Sequence, residues 1–388
     1  MPDSHTITAR DYQTGRWLGI DIDGSVFGDV ASCEGPEAFH DLDPWIAPAL
    51  WDLQTNGRWG GSFSDGRLSV EQVARIVRAQ AALGTAKLCP TLITASRDAL
   101  MQGVHAIAEA CDADPEINRR VLGIHLEGPW ISPTDGYRGA HPREHVRDPD
   151  WEEFESLQRA SGSRIVLVTL APERRGAMAM IERLTAAGVV VAIGHSEADH
   201  DTIRAGVIAG LRLSTHLGNG IPAILPRHPN PLWWQAAEDG LMASFIADGR
   251  HIDPITLGVL MRAKTAARSI LVSDASPLAA APAGRYGPWE VLDDGAIVVA
   301  GTPYLAGSNL DLWRAIPAAV EAAGFTLAQA IDSATLRPAR LLGRTPPAVE
   351  TGEAADLIVF RCRTDDMASF ELAASCVGGE WDFSMSVD

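Results

Sequence analysis

A parallel (β/α)8 TIM-like barrel with a small β-sandwich domain built from both chain termini is predicted by three features of the 388-residue sequence. Short apolar runs alternate with longer stretches of helical spacing along most of the chain. Several of those runs are apolar without alternation, as strands covered on both faces must be. No glycine-rich dinucleotide loop follows the first run, which weighs against a doubly wound open sheet.

In chain order the strand-like runs are 45–53, 86–93, 121–126, 165–170, 189–193, 211–214, 241–247 and 269–272. Between them, helical periodicity covers 70–83, 97–111, 151–160, 177–187 and 199–209. Ser69, Ser96 and Ser196 are the expected starts, because a hydroxyl accepts from the free amides of a first helical turn. Eight strands with intervening helices over about 230 residues match the barrel. Residues 284–302 read as an inserted hairpin, and helices follow near 309–323 and 327–342. The ends differ from the middle. Residues 1–44 hold β-like pieces at 17–22 and 24–30, and residues 345–388 hold others at 356–361 and 376–383, with glycine turns between. These two segments are expected to pair in one small domain, with the barrel occupying 45–344.

Composition bounds the function. At 46% apolar and 21% charged residues the chain reads as globular with a large core. Fifty acidic residues against 32 basic ones give a net charge of −18. Such a surface repels nucleic-acid phosphates and anionic lipid, so neither is an expected partner. No run approaches the roughly 18 apolar residues of a membrane span. The first residues lack the basic start and apolar stretch of a secretory signal. Five scattered cysteines (Cys33, Cys89, Cys111, Cys362, Cys376) contain no CxxC pair. A disulfide framework is therefore not expected, and a cytoplasmic location is.

Polar residues at the C-terminal ends of parallel barrel strands face one shared mouth. Here those ends read Asp52-Leu53-Gln54-Thr55-Asn56-Gly57, His125-Leu126-Glu127-Gly128-Pro129, Gly194-His195-Ser196, Thr215-His216-Leu217, Asp248-Gly249-Arg250-His251 and Ser273-Asp274-Ala275. A lone strand-end histidine is usually a structural hydrogen-bond former, and Asp274 alone is equally readable as a turn cap. Six such endings on consecutive strands shift the balance. Two histidines and a carboxylate form a catalytic zinc set with a fourth position left for water. Glu127, His195 and His216 meet that requirement from separate strands. Asp274 is then placed to accept a proton from the water. A buried polar network without metal is the competing reading of the same four residues.

The motifs also carry a resemblance. DLQTNGRWGG at 52–61, GIHLEGPWISP at 123–133, RGAH at 138–141, AIGHSEA at 192–198 and STHLGNG at 214–220 are similar to the N-acetylglucosamine-6-phosphate deacetylase family of the amidohydrolase superfamily. FIADGRH at 245–251, LVSDA at 271–275, LAGSNL at 305–310, RPARLLG at 337–343 and GEAADLIVF at 352–360 extend it over nearly the whole chain, in order. The resemblance implies that Glu127, His195 and His216 bind metal and that Asp274 is the acid–base residue. It places Ala140, His141, Asn219, Gly220 and Leu305 around the sugar and its acetyl group. Arg227 and His251 correspond to residues that recognise the substrate and its phosphate, the arginine coming from the other subunit of a homodimer. The implied partner is a small amino sugar.

Superfamily members with two metals carry His-x-His on the first strand, whereas this chain has Gln54 and Asn56. Amide oxygens are poor zinc ligands beside imidazole and carboxylate. One divalent ion per chain, Zn2+ by its donor set, is therefore expected. The implied activity is hydrolysis of the acetamide of N-acetylglucosamine 6-phosphate to the amino sugar phosphate and acetate. The chain also departs from the family at Gly218 and Gly220, at Arg227-His228-Pro229-Asn230 and at Ser276-Pro277. An unphosphorylated or different N-acetyl sugar is thus an alternative substrate. Arg227, His228, Arg250 and His251 are a candidate local basic patch for the phosphate. A cyclic-amide hydrolase and a non-catalytic sugar-phosphate-binding barrel are the remaining alternatives.

Overall fold

The computed structural model describes residues 6–35 and 43–383. The portions of the expected terminal domain at 1–5, 36–42 and 384–388 lie outside the described residues. Eight parallel strands, Leu50–Thr55, Thr85–Ile93, Ile124–Glu127, Ile165–Leu170, Val190–Ile193, Leu211–Ser214, Met242–Phe245 and Ser269–Leu271, stand in sequence order in one sheet. Its two edges meet just beyond the last strand. The Asp274 amide donates to Gln54 O, and the Asn56 amide donates to Ala275 O, each at 2.9 Å. A parallel bridge between Thr55 and Ala275 completes the closure.

Helices cover the outside because their apolar positions recur every three or four residues. Val73, Ile76 and Val77 of Val70–Ala79 are buried, as are Leu100, Val104 and Ile107 of Arg97–Ala113. They pack with Leu88, Leu92, Ile124 and Leu126 of the strands. Ser69 and Ser96 cap these two helices as expected, accepting from the amides of Gln72 and Ala99. Ser196 does not cap. Asp199 starts His200–Ala209 instead, while Ser196 Oγ donates to Glu173 Oε2 at 2.7 Å and accepts from the Ala198 amide. Its loop position directly after His195 leaves it short of the helix. Among the described residues no helix is long and apolar enough to cross a membrane.

The run at 45–53 is not one strand. It divides at Ala49 into Pro44–Pro48, which joins the terminal sheet, and Leu50–Thr55, which opens the barrel. The run at 376–383 likewise spans a turn at Gly378 and Gly379, both at positive φ, between Asp366–Val377 and Glu380–Asp382. These join Leu357–Arg363, Pro44–Pro48, Thr6–Asp11, Trp17–Asp23 and Val26–Ser32 in one seven-stranded sheet drawn from both ends of the chain. Ala47 faces Ile358 and Arg10 faces Trp45 across it. Val26 also bridges to Ala354, so the sheet curls around Ala9, Ile20, Phe27, Ile46, Leu357 and Cys376. Phe360, Phe370 and Leu372 pack towards the barrel side with Ile316 and Ala319 of Ala315–Ala323. The insert holds three short antiparallel strands, Gly284–Tyr286, Trp289–Val291 and Ile297–Val299.

Asp52 ties the barrel seam from inside. Its carboxylate accepts from the Ser273 amide at 3.2 Å and from the Ser273 hydroxyl. Burial pushes this carboxyl up to about 7 despite those donors. Since an unfolded aspartate titrates near 3.9, the native chain binds the extra proton between roughly pH 4 and 7, and Asp52 contributes less stability as pH rises through that window. Urea unfolding at pH 5 and pH 7 should therefore show a steeper loss in the wild type than in Asp52→Asn, by on the order of 2 kcal/mol. Equal pH slopes in the two proteins would contradict the assignment.

Candidate active site

The strand ends bring three ligand atoms together. Glu127 is the last residue of the third barrel strand, and His195 and His216 each lie two residues past the ends of the fifth and sixth. Glu127 Oε1 is 2.9 Å from His216 Nε2 and 3.3 Å from His195 Nε2, and the two Nε2 atoms are 3.2 Å apart. Ligands bonded at about 2.0–2.1 Å to one tetrahedral ion stand roughly 3.3 Å from one another. This N2O set therefore fits a single divalent cation with room for one more ligand. His195 Nδ1–H donates to Tyr137 O at 2.9 Å, which turns the Nε2 lone pair inward.

The charges agree with that reading. Burial disfavours the Glu127 carboxylate, yet the hydrogen bonds from His195 and His216 hold it well below the ordinary carboxylate range. Burial likewise opposes the charged His216 ring, but Glu127 keeps its pKa above the usual value. A cation would replace the proton that these three groups otherwise share.

His141 competes for the third ligand position by proximity, because its ligand nitrogen lies within 4.8 Å of those of Glu127 and His195. His216 Nε2 stands 2.9 Å from Glu127 Oε1 and 3.2 Å from His195 Nε2. Moreover, His141 Nδ1 accepts from the Thr94 amide at 3.4 Å and lies 2.8 Å from Thr94 Oγ1. Burial and the neighbouring His195 push His141 down to about 3. The ring is thus neutral, and with Nδ1 accepting from the Thr94 amide its proton sits on Nε2.

Asp274 Oδ1 accepts from Asn56 Nδ2 at 2.7 Å, whereas Oδ2 has no hydrogen bond among the described residues. Burial, then the Glu127 charge, push this carboxyl up to about 6 among the protein groups alone. A bound cation would oppose both effects. His195, His216 and Asp274 all have left-handed backbone, with φ of 51°, 33° and 48°. Non-glycine residues take this conformation at a cost, and here it turns three side chains from their strands into one mouth.

Beneath the ligands lies a polar belt. His125 Nδ1–H donates to Leu53 O at 3.2 Å, and Nε2 accepts from Thr169 Oγ1 at 2.8 Å. Thr169 Oγ1 in turn meets Thr215 Oγ1 at 2.7 Å. Burial pushes His125 down to about 4, so this ring is neutral and structural.

A cleft of about 470 Å3 opens above the set. Its lining includes Ala140, His141, Asn219, Gly220, His251, Asp274 and Leu305. His251 is held by Asp248, with Nδ1 2.7 Å from Oδ2. Arg227 is not among the lining residues and is exposed on the loop beyond the mouth. Arg250 is also withdrawn from the expected basic patch, since it is paired with Asp294 of the insert. Sequence reasoning missed Thr94, Trp289 and Tyr304. The last two line the cleft from the insert and the segment after it. Thr94 follows the second strand directly, so strand-end position was a usable signal for it, whereas nothing in the insert's sequence marks Trp289.

The amidohydrolase family model matches residues 45–381. The N-acetylglucosamine-6-phosphate deacetylase of Homo sapiens is 34% identical over 351 residues, covering 86% of this chain and 82% of that protein. The N-acetylgalactosamine-6-phosphate deacetylase of Escherichia coli O157:H7 is 32% identical over 300 residues, covering 77% and 78%. The crystal structure of N-acetyl-D-glucosamine-6-phosphate deacetylase from Mycobacterium smegmatis superposes with a TM-score of 0.84 at 31% identity, covering 97% of this chain and 99% of that one.

Gly220 has a packing duty besides lining the cleft. Its φ is +61°, and a Cβ there would stand 2.8 Å from His195 Nδ1. Gly220→Ala should therefore displace His195 and weaken metal retention by about tenfold, measured by competition with a chromogenic chelator. Unchanged retention would mean that the ring does not need that space.

Proposed function

Because this chain belongs to the amidohydrolase family, we propose that it is a metal-dependent deacetylase that hydrolyses the N-acetyl group of N-acetylglucosamine 6-phosphate, releasing acetate and the amino sugar phosphate. The observation that carries this reading is the convergence of Glu127 Oε1, His195 Nε2 and His216 Nε2 within 3.3 Å, with Asp274 lining the same cleft. One ion per chain is proposed, and the N2O donor set favours zinc. At the positions where a second ion would need imidazoles, Gln54 and Asn56 offer amides, and Asn56 is engaged by Asp274. A divalent ion held there would polarise the amide carbonyl and acidify a water.

The protein's own groups supply the remaining steps. Asp274 Oδ2 takes the proton of the attacking water as its oxygen adds to the acetyl carbon. The His141 Nε2–H donates to the carbonyl oxygen as that oxygen gains charge. Asp274 then passes its proton to the departing nitrogen, without which an amide C–N bond breaks very slowly. Collapse of the tetrahedral carbon gives acetate and the free amine. The Asn56 amide keeps Oδ1 occupied, so the proton leaves by the oxygen that received it.

The cleft lining includes no arginine or lysine among the described residues. Recognition of the 6-phosphate is therefore proposed to involve Arg227 of a second copy in a homodimer, together with His251. The similarity to an N-acetylgalactosamine-6-phosphate deacetylase favours the C4 epimer as the second candidate substrate.

Purified chain should contain one divalent ion per protomer by elemental analysis. Asp274→Asn should retain it while turnover falls by roughly a hundred- to ten-thousandfold. Two full-occupancy ions would overturn the metal count, and near-normal acetate release by the variant would overturn the role of Asp274. Arg227→Ala should raise KM for the phosphorylated substrate at least about tenfold with little change for N-acetylglucosamine itself, a loss of about 1.4 kcal/mol of phosphate binding. Equal effects on both sugars would detach Arg227 from the phosphate.

A further inference from the structure

The opposite end of the barrel holds a second cavity of about 470 Å3. Lys87 reaches it from the second strand, Arg119 from the helix Pro115–Arg120, Arg164 from the residue before the fourth strand, and Arg344 from the segment after Leu336–Leu341. Four cations around one hollow are a local concentration of positive charge on a chain whose net charge is −18. Two of them are neutralised. Arg119 Nη1 is 3.4 Å from Asp356 Oδ1, and Arg164 Nη2 is 2.7 Å from Asp112 Oδ1.

Lys87 and Arg344 are not. Among the described residues neither forms an ion pair. Arg344 Nη2 reaches only Leu122 O, at 3.5 Å. Lys87 Nζ lies 5.0 Å over the ring of Trp51, its neighbour in register on the first strand. Four cations, two of them ion-paired, face the hollow, with Glu353 a more distant counter-charge on Lys87, so positive charge is in excess there. Burial lowers the Lys87 pKa, with Asp356 and Glu353 opposing that effect and Arg119 and Arg344 adding to it. An ammonium in that position gains from an incoming anion, because Asp356 and Glu353 act on it only at a distance and neither pairs with it.

Sugar chemistry occupies the other mouth, at the C-terminal ends of the strands, so the two cavities cannot share one ligand. The excess of positive charge here suits an anion, and guanidinium groups at the rim suit the oxygens of a tetrahedral group. We propose that this floor cavity is a second anion site that takes a phosphate dianion, either free or as the monoester of a small alcohol.

The test uses the full metal-loaded chain. Crystals soaked in inorganic phosphate, or in tungstate as its heavy analogue, should show density between Lys87 and Arg344. Equilibrium dialysis with labelled phosphate should show a binding event that weakens at least roughly tenfold in Lys87→Met/Arg344→Gln, with deacetylation within about twofold of wild type because neither residue touches the upper cleft. Glycerol 3-phosphate run in parallel separates the sources: tighter binding than phosphate marks an ester, and equal or weaker binding marks the free anion. Density confined to the upper cleft, or dialysis unchanged by the double substitution, overturns the proposal. The soaked wild-type crystal decides by itself should the variant not fold.

Discussion

The site rests on one constraint, the closure of the barrel at the seam between its first and last strands. Asp274 donates its amide to Gln54 O, Asn56 donates its own to Ala275 O, and the Asn56 side chain grips the Asp274 carboxylate across the same seam. The placement of Asp274 and the closure of the barrel are therefore the same set of bonds. Asp52, one layer down, binds Ser273 and holds the residue before Asp274. A change loosening that seam would misplace Asp274 before it disturbed Glu127, His195 and His216, which hang from the third, fifth and sixth strands.

Backbone geometry supplies the second half of the arrangement. His195, His216 and Asp274 all lie past the ends of their strands, where the extended alternation no longer sets their direction. Left-handed φ at all three turns each one into the mouth. The neighbouring glycines serve the same purpose, with Gly139 and Gly220 both lying against the His195 ring where a Cβ would crowd it. Strain of this kind persists only where surrounding structure enforces it, and here the polar belt through His125, Thr169 and Thr215 braces the floor of the site.

Much of this was legible from the residues. The eight apolar runs were placed in the right order, since a strand buried on both faces has few places to carry a polar residue except its end. Glu127, His195 and His216, which the structure brings together, stood out for the same reason, as polar groups interrupting apolar ends. Boundaries failed where the physical cause is not local. The apolar run at 45–53 gives no sign that Pro44–Pro48 pairs with Leu357–Arg363 from the far end of the chain, because that partner is distant in sequence. Ser196 resembled a cap because hydroxyls cap helices, yet Glu173 claims it. Arg250 looked like a free cation until Asp294 of the insert was seen to pair with it. The tautomer of His141 depends on Thr94, and only geometry brings them together.

The terminal sheet carries a consequence for biosynthesis. Pro44–Pro48 sits between Thr6–Asp11 on one side and Leu357–Arg363 on the other. A ribosome delivers the first neighbour before it and the second only after the whole barrel has been made. Through nearly all of translation that strand therefore carries one bare row of amides and carbonyls, an invitation to pair with a neighbouring nascent chain. Pro44 and Pro48, at its two ends, offer no amide hydrogens to such an intruder.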